Sequence, residues 1–303
     1  MLRTIFYIFL YIFLTGCIIF LFVKDQLISD KLEKIRAPFF EKIYNKYKIN
    51  KKSRNKIEGL LDWIQMIVIV LIIVAIIQLF YIGNYTVPTG SMEPTIIPGE
   101  RFFAEKISYR FREPQREEVL VFREPYRDRD RYTKRLVALP GEFVKINNNN
   151  LYINNNEIEI NEGINYYNFG TLISNNEWKV PQKGDYISIE SGTFEVNNIR
   201  LTLEVLREML RENQNILDNE IFIHEAVFIL NQEHLTGPIY DRDILYNLIK
   251  GEEVLLENDY YFTLGDNSRN SYDSRTWGFV SQDRIIARMG FRFWPINRIG
   301  LIK

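Results

Sequence analysis

The chain has 303 residues, 38 Lys/Arg against 39 Asp/Glu, and a formal net charge of −1. That length admits one large domain or two small ones, and the charge balance excludes a molecule that binds nucleic acid through overall positive charge. One cysteine, Cys17, excludes an intrachain disulfide, so the fold stands on its apolar core.

In chain order, the first feature is an apolar run from Thr4 to Val23 that contains no charge. A second runs from Ile64 to Ile82, with Gln65 and Gln78 as its polar interruptions. A spanning helix needs roughly 20 mostly apolar residues, and both runs qualify. Trp63, Tyr81 and Tyr85 flank the second where interfacial aromatics are expected. The expected organisation is a transmembrane helix over 1–23, a basic cytoplasmic loop over 24–62 and a second transmembrane helix over 63–83. The loop carries eleven Lys/Arg and six Asp/Glu, and positive charge beside a span favours the cytoplasmic side. Both chain ends then lie outside. Residues after 83 hold 26 basic and 33 acidic side chains, ordinary for an exported soluble domain. The stretch Leu14–Cys17 also resembles a lipoprotein box with a lipidated Cys17; against that reading, the apolar run continues as "IIFLFV".

Residues 84–146 alternate apolar and polar with Pro/Gly punctuation, the pattern of strands and turns. "INNNNLYINNNEIEINEG" reads as a hairpin with Asn-rich turns. Residues 197–217 place Leu201, Leu203, Leu206 and Leu210 at helical spacing, with Asn197–Asn198 as the N-cap, and residues 241–251 form a second helix closed by Gly251. The fold class is mainly β: a catalytic β domain over 84–146 and 258–303, with a partly helical inserted subdomain over 147–257, preceded by two transmembrane helices.

Three segments carry candidate chemistry. "PTGSMEPTI" surrounds Ser91 with Gly90, which allows close backbone approach, and with Pro94, which restricts the chain. The Ser91 N–H and the Thr89 hydroxyl can face a developing oxyanion. A serine nucleophile needs a base. The two histidines, His224 and His234, fall in the insertion. The other option is Lys134, which precedes the apolar "LVAL" and is competent if burial holds it neutral. Strand alternation puts Lys134 and Arg135 on opposite faces, so that one can point inward while the other stays solvated; the other reading is two surface bases on an edge strand. The third segment, "LGDNSRNSYDSRTWGFV", is dense in small polar residues. Asp266, Asn267, Ser268 and Asn270 can bond the local backbone, Ser271 can hold a lysine amine, and Asp273 can pair with Arg275. A calcium loop is the other reading of this segment, but its spacing departs from the EF-hand pattern.

These segments, in this order after a membrane span, resemble type I signal peptidases. "PTGSMEPTI" looks like the family's nucleophile box, "YTKRLVALPGE" like its lysine box, "GDNSRNSYDSRTWG" like its last box and "FWPINRIG" like its usual ending. "EEVLVF" resembles the intervening strand, with Glu117 and Glu118 in place of the usual Gly-Asp. The resemblance covers about residues 84–145 and 258–303. It implies Ser91 as nucleophile, Lys134 as general base, and the Thr89 hydroxyl and Ser91 N–H as oxyanion donors. It further implies that Ser271 orients Lys134, that Asp273 and Arg275 form a structural ion pair, that Asp266 supports the site and that Met92 lines the substrate groove. No cofactor or metal is implied. The implied partners are the signal peptides of exported preproteins and the lipid bilayer, near the secretion translocon. The implied location is the cytoplasmic membrane, catalytic domain outside. Ser91 lies nine residues beyond Ile82, at most about 32 Å of extended chain, so cleavage is expected near the membrane surface; Phe102, Phe103 and Trp277 are either bilayer contacts or core. The alternative is a non-catalytic membrane-anchored scaffold or binding protein on the same fold.

Overall fold

A computed structural model of the chain describes residues 2–125, 129–159, 166–167, 171–173, 176–196, 198–212 and 221–302. The chain divides into two compact units, Met1–Gly83 and Asn84–Lys303.

The first unit is helical: α1 (Leu2–Val23), α2 (Asp25–Lys46) and α3 (Lys51–Ile76), the last continued by one π turn, Ile77–Tyr81. Two helical stretches, Thr4–Val23 and Lys51–Tyr81, are long enough and contain a segment apolar enough to cross a membrane. The Tyr11 hydroxyl donates to Phe80 O at 3.0 Å, and the Tyr11 and Tyr81 rings meet edge to face at 5.2 Å. The segment 24–62, expected as a loop, is instead α2 and the first turns of α3. The two pack antiparallel through Arg36–Asp62, Arg54–Glu41 and a hydrogen bond from Gln65 to Ser29. Asn50 caps α3 by accepting from Ser53 N at 2.8 Å. Pro38 inside α2 and the frequent charges hide this helix from an apolar-periodicity reading.

The second unit is built on strands. In chain order they are β1 (Ile82–Thr86), β2 (Arg101–Glu105), β3 (Val119–Arg123), β4 (Arg131–Ala138), β5 (Phe143–Asn147), β6 (Asn150–Ile153), β7 (Asn156–Ile158), β8 (Glu177–Lys179), β9 (Tyr186–Val196), β10 (Ile199–Thr202), β11 (Ile221–Leu230), β12 (His234–Thr236), β13 (Val254–Leu255), β14 (Tyr260–Leu264), β15 (Val280–Ser281), β16 (Ile285–Trp294) and β17 (Gly300–Leu301). Between them lie α4 (Ser108–Phe111), α5 (Leu203–Glu212), α6 (Arg242–Lys250) and α7 (Ser274–Trp277). The main sheet has the order β1-β2-β16-β3-β4-β14-β15, with β17 beside β16. A second sheet joins β10-β9-β11-β12 and β13, and a third β7-β6-β5-β8.

At β3 both faces of the main sheet are covered. Along β3, Val119 and Val121 enter one apolar cluster with Met92, Ile96 and Phe102, while Leu120 and Phe122 enter a larger one on the other face. That larger cluster runs on through Val144, Trp178, Phe194, Phe228 and Leu248. The inserted residues therefore share one core with the catalytic sheet.

Local chemistry explains the turns. Asn148 and Asn149 join β5 to β6, and Asn154 and Asn155 join β6 to β7, all four at positive φ (49°, 66°, 51° and 64°). Two-residue hairpin loops need that conformation, and Asn tolerates it. Over 197–217 the expected helix starts later. Asn198 turns β9 into β10 at φ 64°, and α5 begins at Leu203; residues 213–217 of that expectation lie outside the described ones. Asp241 caps α6 through Asp243 N and Ile244 N, and Gly251 closes it at φ 96°.

Candidate active site

Ser91 sits on a single 3-10 turn, Gly90–Met92, between β1 and β2. Thr89 enters the turn in extended conformation (φ −114°, ψ 156°). Met92 anchors it: its side chain is fully buried, and Met92 O accepts from Ile96 N at 2.8 Å. Met92 was expected to line a substrate groove. It lies instead fully buried in an apolar cluster with Val87, Ile96 and Phe102.

Lys134 comes from β4, whose partners are β3 and β14. Its Nζ donates to Ser91 Oγ at 2.7 Å, and the residue is only 4% exposed. Burial pushes the amine down from its ordinary 10.5 to about 8. Asp273 and Asp266 pull the other way and Arg275 assists burial. Thr89 Oγ1 donates to Ser91 Oγ at 3.4 Å.

Arg135, the next residue, faces the opposite way and is also buried, at 1% exposure. Arg135 is therefore not a solvated partner of Lys134, because β4 is buried on both faces from Lys134 to Ala138. Arg135 is held by a bidentate pair with Asp266, at 2.9 and 2.7 Å, and by a bond to Glu117 O at 2.8 Å. Glu117 itself takes φ 72°, a left-handed conformation that suits the Gly usual there in the resembled family.

The loop after β14 closes the site. Gly265 comes so near the nucleophile turn that a Cβ there would stand 2.1 Å from Ser271 Oγ and 2.5 Å from Ser91 O. Asp273 and Arg275 form a second bidentate pair, at 2.8 and 2.7 Å, both buried. Arg275 also donates to Ser268 Oγ (2.6 Å) and Ser268 O (2.8 Å). Asp273 accepts from Gly265 N at 3.0 Å. Asn267 donates from its backbone to Ser91 O (3.0 Å) and from its amide to Gly90 O (2.9 Å). Ser271 borders the cleft, but its Oγ is buried without a hydrogen-bond partner. The expected bond from Ser271 to Lys134 is therefore not formed; the amine is directed at Ser91 instead.

These residues surround a cleft of about 750 Å³, bounded by Thr86–Thr89, Asp130–Lys134 and Arg269–Tyr272. Two strand edges face into it. β1 ends the main sheet, and β14 pairs β4 only from Arg135 onward, which leaves Arg131–Lys134 open on that side. Neither histidine borders it: His224 pairs with Glu195 at 2.8 Å, and His234 packs on Phe143. Phe102 and Trp277 are fully buried, whereas Phe103 is exposed and stacks on Phe293.

A family model described as signal peptidase, peptidase S26, matches residues 60–294. The chain belongs to the signal peptidase family, peptidase S26. Its relatives include "Probable signal peptidase I-2" of Synechocystis sp., 27% identical over 221 residues, covering 71% of this chain and 65% of the relative. "Signal peptidase I" of Buchnera aphidicola subsp. Baizongia pistaciae is 28% identical across 93% of this chain and 94% of its own. "Signal peptidase IB" of Staphylococcus aureus is 29% identical across 78% and 91%. A crystal structure of a signal peptidase I from Enterococcus faecalis aligns with 58% of this chain and 97% of its own, at 21% identity and a TM-score of 0.27. Membership makes the chain a serine endopeptidase.

For this signal peptidase family member, sequence reading missed the parts played by Arg135, Gly265 and Asn267. Arg135 was read by alternation alone, Gly265 as one letter of a box, and Asn267 as bracing only its own loop.

Proposed function

We propose that this chain is a membrane-bound signal peptidase that removes N-terminal signal peptides from exported preproteins through a Ser91–Lys134 dyad. The observation that carries the reading is the 2.7 Å contact from Lys134 Nζ to Ser91 Oγ inside a buried pocket that opens on a cleft. An amine near pH 8 is partly neutral at physiological pH, as a general base requires. Neutral Lys134 takes the Ser91 proton as Oγ attacks the scissile carbonyl. The Thr89 hydroxyl and the Ser91 N–H receive the oxyanion. The Lys134 ammonium then protonates the leaving amine, and water, activated by the same lysine, hydrolyses the acyl-enzyme. Asp266 and Asp273 act through their arginines, bracing the loop that closes the site.

An extended signal peptide fits between the two open strand edges by adding main-chain hydrogen bonds, with small side chains before the scissile bond in shallow pockets. The two apolar helices anchor the enzyme in the bilayer that also holds the apolar segment of the signal peptide, which raises their effective concentration. The excess of Lys and Arg over 24–62 puts that segment in the cytoplasm and the catalytic unit on the other side, in reach of chains leaving the translocon. The test is incubation of the detergent-solubilised full chain with a labelled preprotein, wild type beside Ser91→Ala and Lys134→Ala. The wild type releases mature protein and both variants stay folded and inactive; cleavage by either variant refutes the dyad.

A further inference from the structure

We infer that Asn267 is a positioning residue for the oxyanion hole, acting through the peptide that joins Gly90 to Ser91. The inference rests on the reading of Ser91 as nucleophile and Ser91 N–H as oxyanion donor.

The Gly90 carbonyl and the Ser91 N–H belong to one planar trans peptide, so they point in opposite directions. Fixing the carbonyl fixes the N–H. Asn267 Nδ2 donates to Gly90 O at 2.9 Å, and Asn267 N–H donates to Ser91 O at 3.0 Å. One residue thus holds the peptides on both sides of the nucleophile. Gly90 O also accepts from Glu93 N at 3.2 Å, the bond that closes the 3-10 turn. The shorter bond from Asn267 is thus a second hold, from a side chain, on a peptide whose Gly90 lacks a Cβ to resist rotation. A rotated peptide would turn its oxygen towards the place where the oxyanion forms. A hydrogen bond to the carbonyl also polarises the amide and strengthens its N–H as a donor.

Asn267 is itself held on both sides. Asp266 is gripped by Arg135, and Ser268 receives two bonds from Arg275. The two buried ion pairs therefore reach the reacting centre through this amide.

The test compares wild type, Asn267→Ala and Asn267→Asp as full-length protein in detergent. The Asp variant keeps the size and loses the donor. Three quantities are read: kcat and KM on a labelled preprotein, affinity for a peptide aldehyde of the substrate sequence, whose adduct with Ser91 puts an oxygen in the hole, and affinity for an uncleavable peptide of the same sequence. Both variants are expected to lose about ten- to a hundredfold in kcat with KM within about twofold. Aldehyde affinity is expected to fall with kcat while the uncleavable peptide binds as before. Retention of kcat by either variant overturns the inference, as does a loss confined to KM or an equal weakening of both ligands. An inactive wild type, or an active Ser91→Ala, overturns the nucleophile reading itself and removes this inference with it.

Discussion

Lys134 Nζ lies 2.7 Å from Ser91 Oγ although 43 residues separate them in the chain. One comes from an interior strand of the main sheet, the other from a turn anchored in the core by Met92. Both partners are thus fixed before any substrate arrives.

The pH profile follows from the buried amine. Activity requires Lys134 uncharged, so kcat/KM is expected to rise through about pH 8 and level off above it. At pH 6 it should be about 1% of the plateau. A profile flat from pH 6 to 9 would remove Lys134 as the base.

Stability should depend on pH in the same direction. Burial sets the folded value near 8, below the ordinary 10.5. Between these values the unfolded chain holds more protons, so stability from this group rises with pH across that window. Below the window the charged amine is buried at full cost. Lys134→Met should therefore abolish cleavage and raise the unfolding midpoint at pH 7, measured by circular dichroism.

Thr89 offers the hydroxyl beside Ser91 Oγ. Thr89→Val keeps the shape and loses the donor, and should lower kcat by about 10²-fold with KM little changed. Thr89→Ser should keep most of the activity. Steady-state cleavage of one preprotein checks both.

Arg135 and Asp266 are both buried, so removing one partner strands the other. Asp266→Asn should cost about 3–5 kcal/mol and lower Tm by roughly 10 °C. Replacing both, as Arg135→Met with Asp266→Leu, should recover much of that loss. Thermal melts of the singles and the double decide it.

Met92→Ala should act on stability, by about 2–5 kcal/mol, and leave the choice of residue before the cleavage site unchanged. Met92→Leu should be tolerated within about 1.5 kcal/mol. A changed cleavage preference with an unchanged melt would return Met92 to the substrate groove.

Features fixed by neighbouring residues were legible in the sequence. The apolar runs, the Asn turns, the Asp241 and Gly251 caps and the boxes around Ser91 and Lys134 each depend on local chemistry. What the sequence hid depends on what lies above and below an element. Alternation separates Lys134 from Arg135 but cannot say that both faces of β4 are covered. Ser271 has the chemistry to hold an amine, yet the close approach at Gly265 sets where its oxygen lies. The helix α2 escaped notice because its stabilising partners are charges on α3 rather than an apolar stripe.

The double guanidinium–carboxylate arrangement has one more consequence. Each acid near Lys134 already has its own cation, which offsets part of its pull towards the ammonium and lets burial prevail. Arg275→Met would leave the Asp273 carboxylate without its counter-ion, favour the protonated amine and shift the activity curve to higher pH. The enzyme would then fall silent at neutral pH with its nucleophile and base both present.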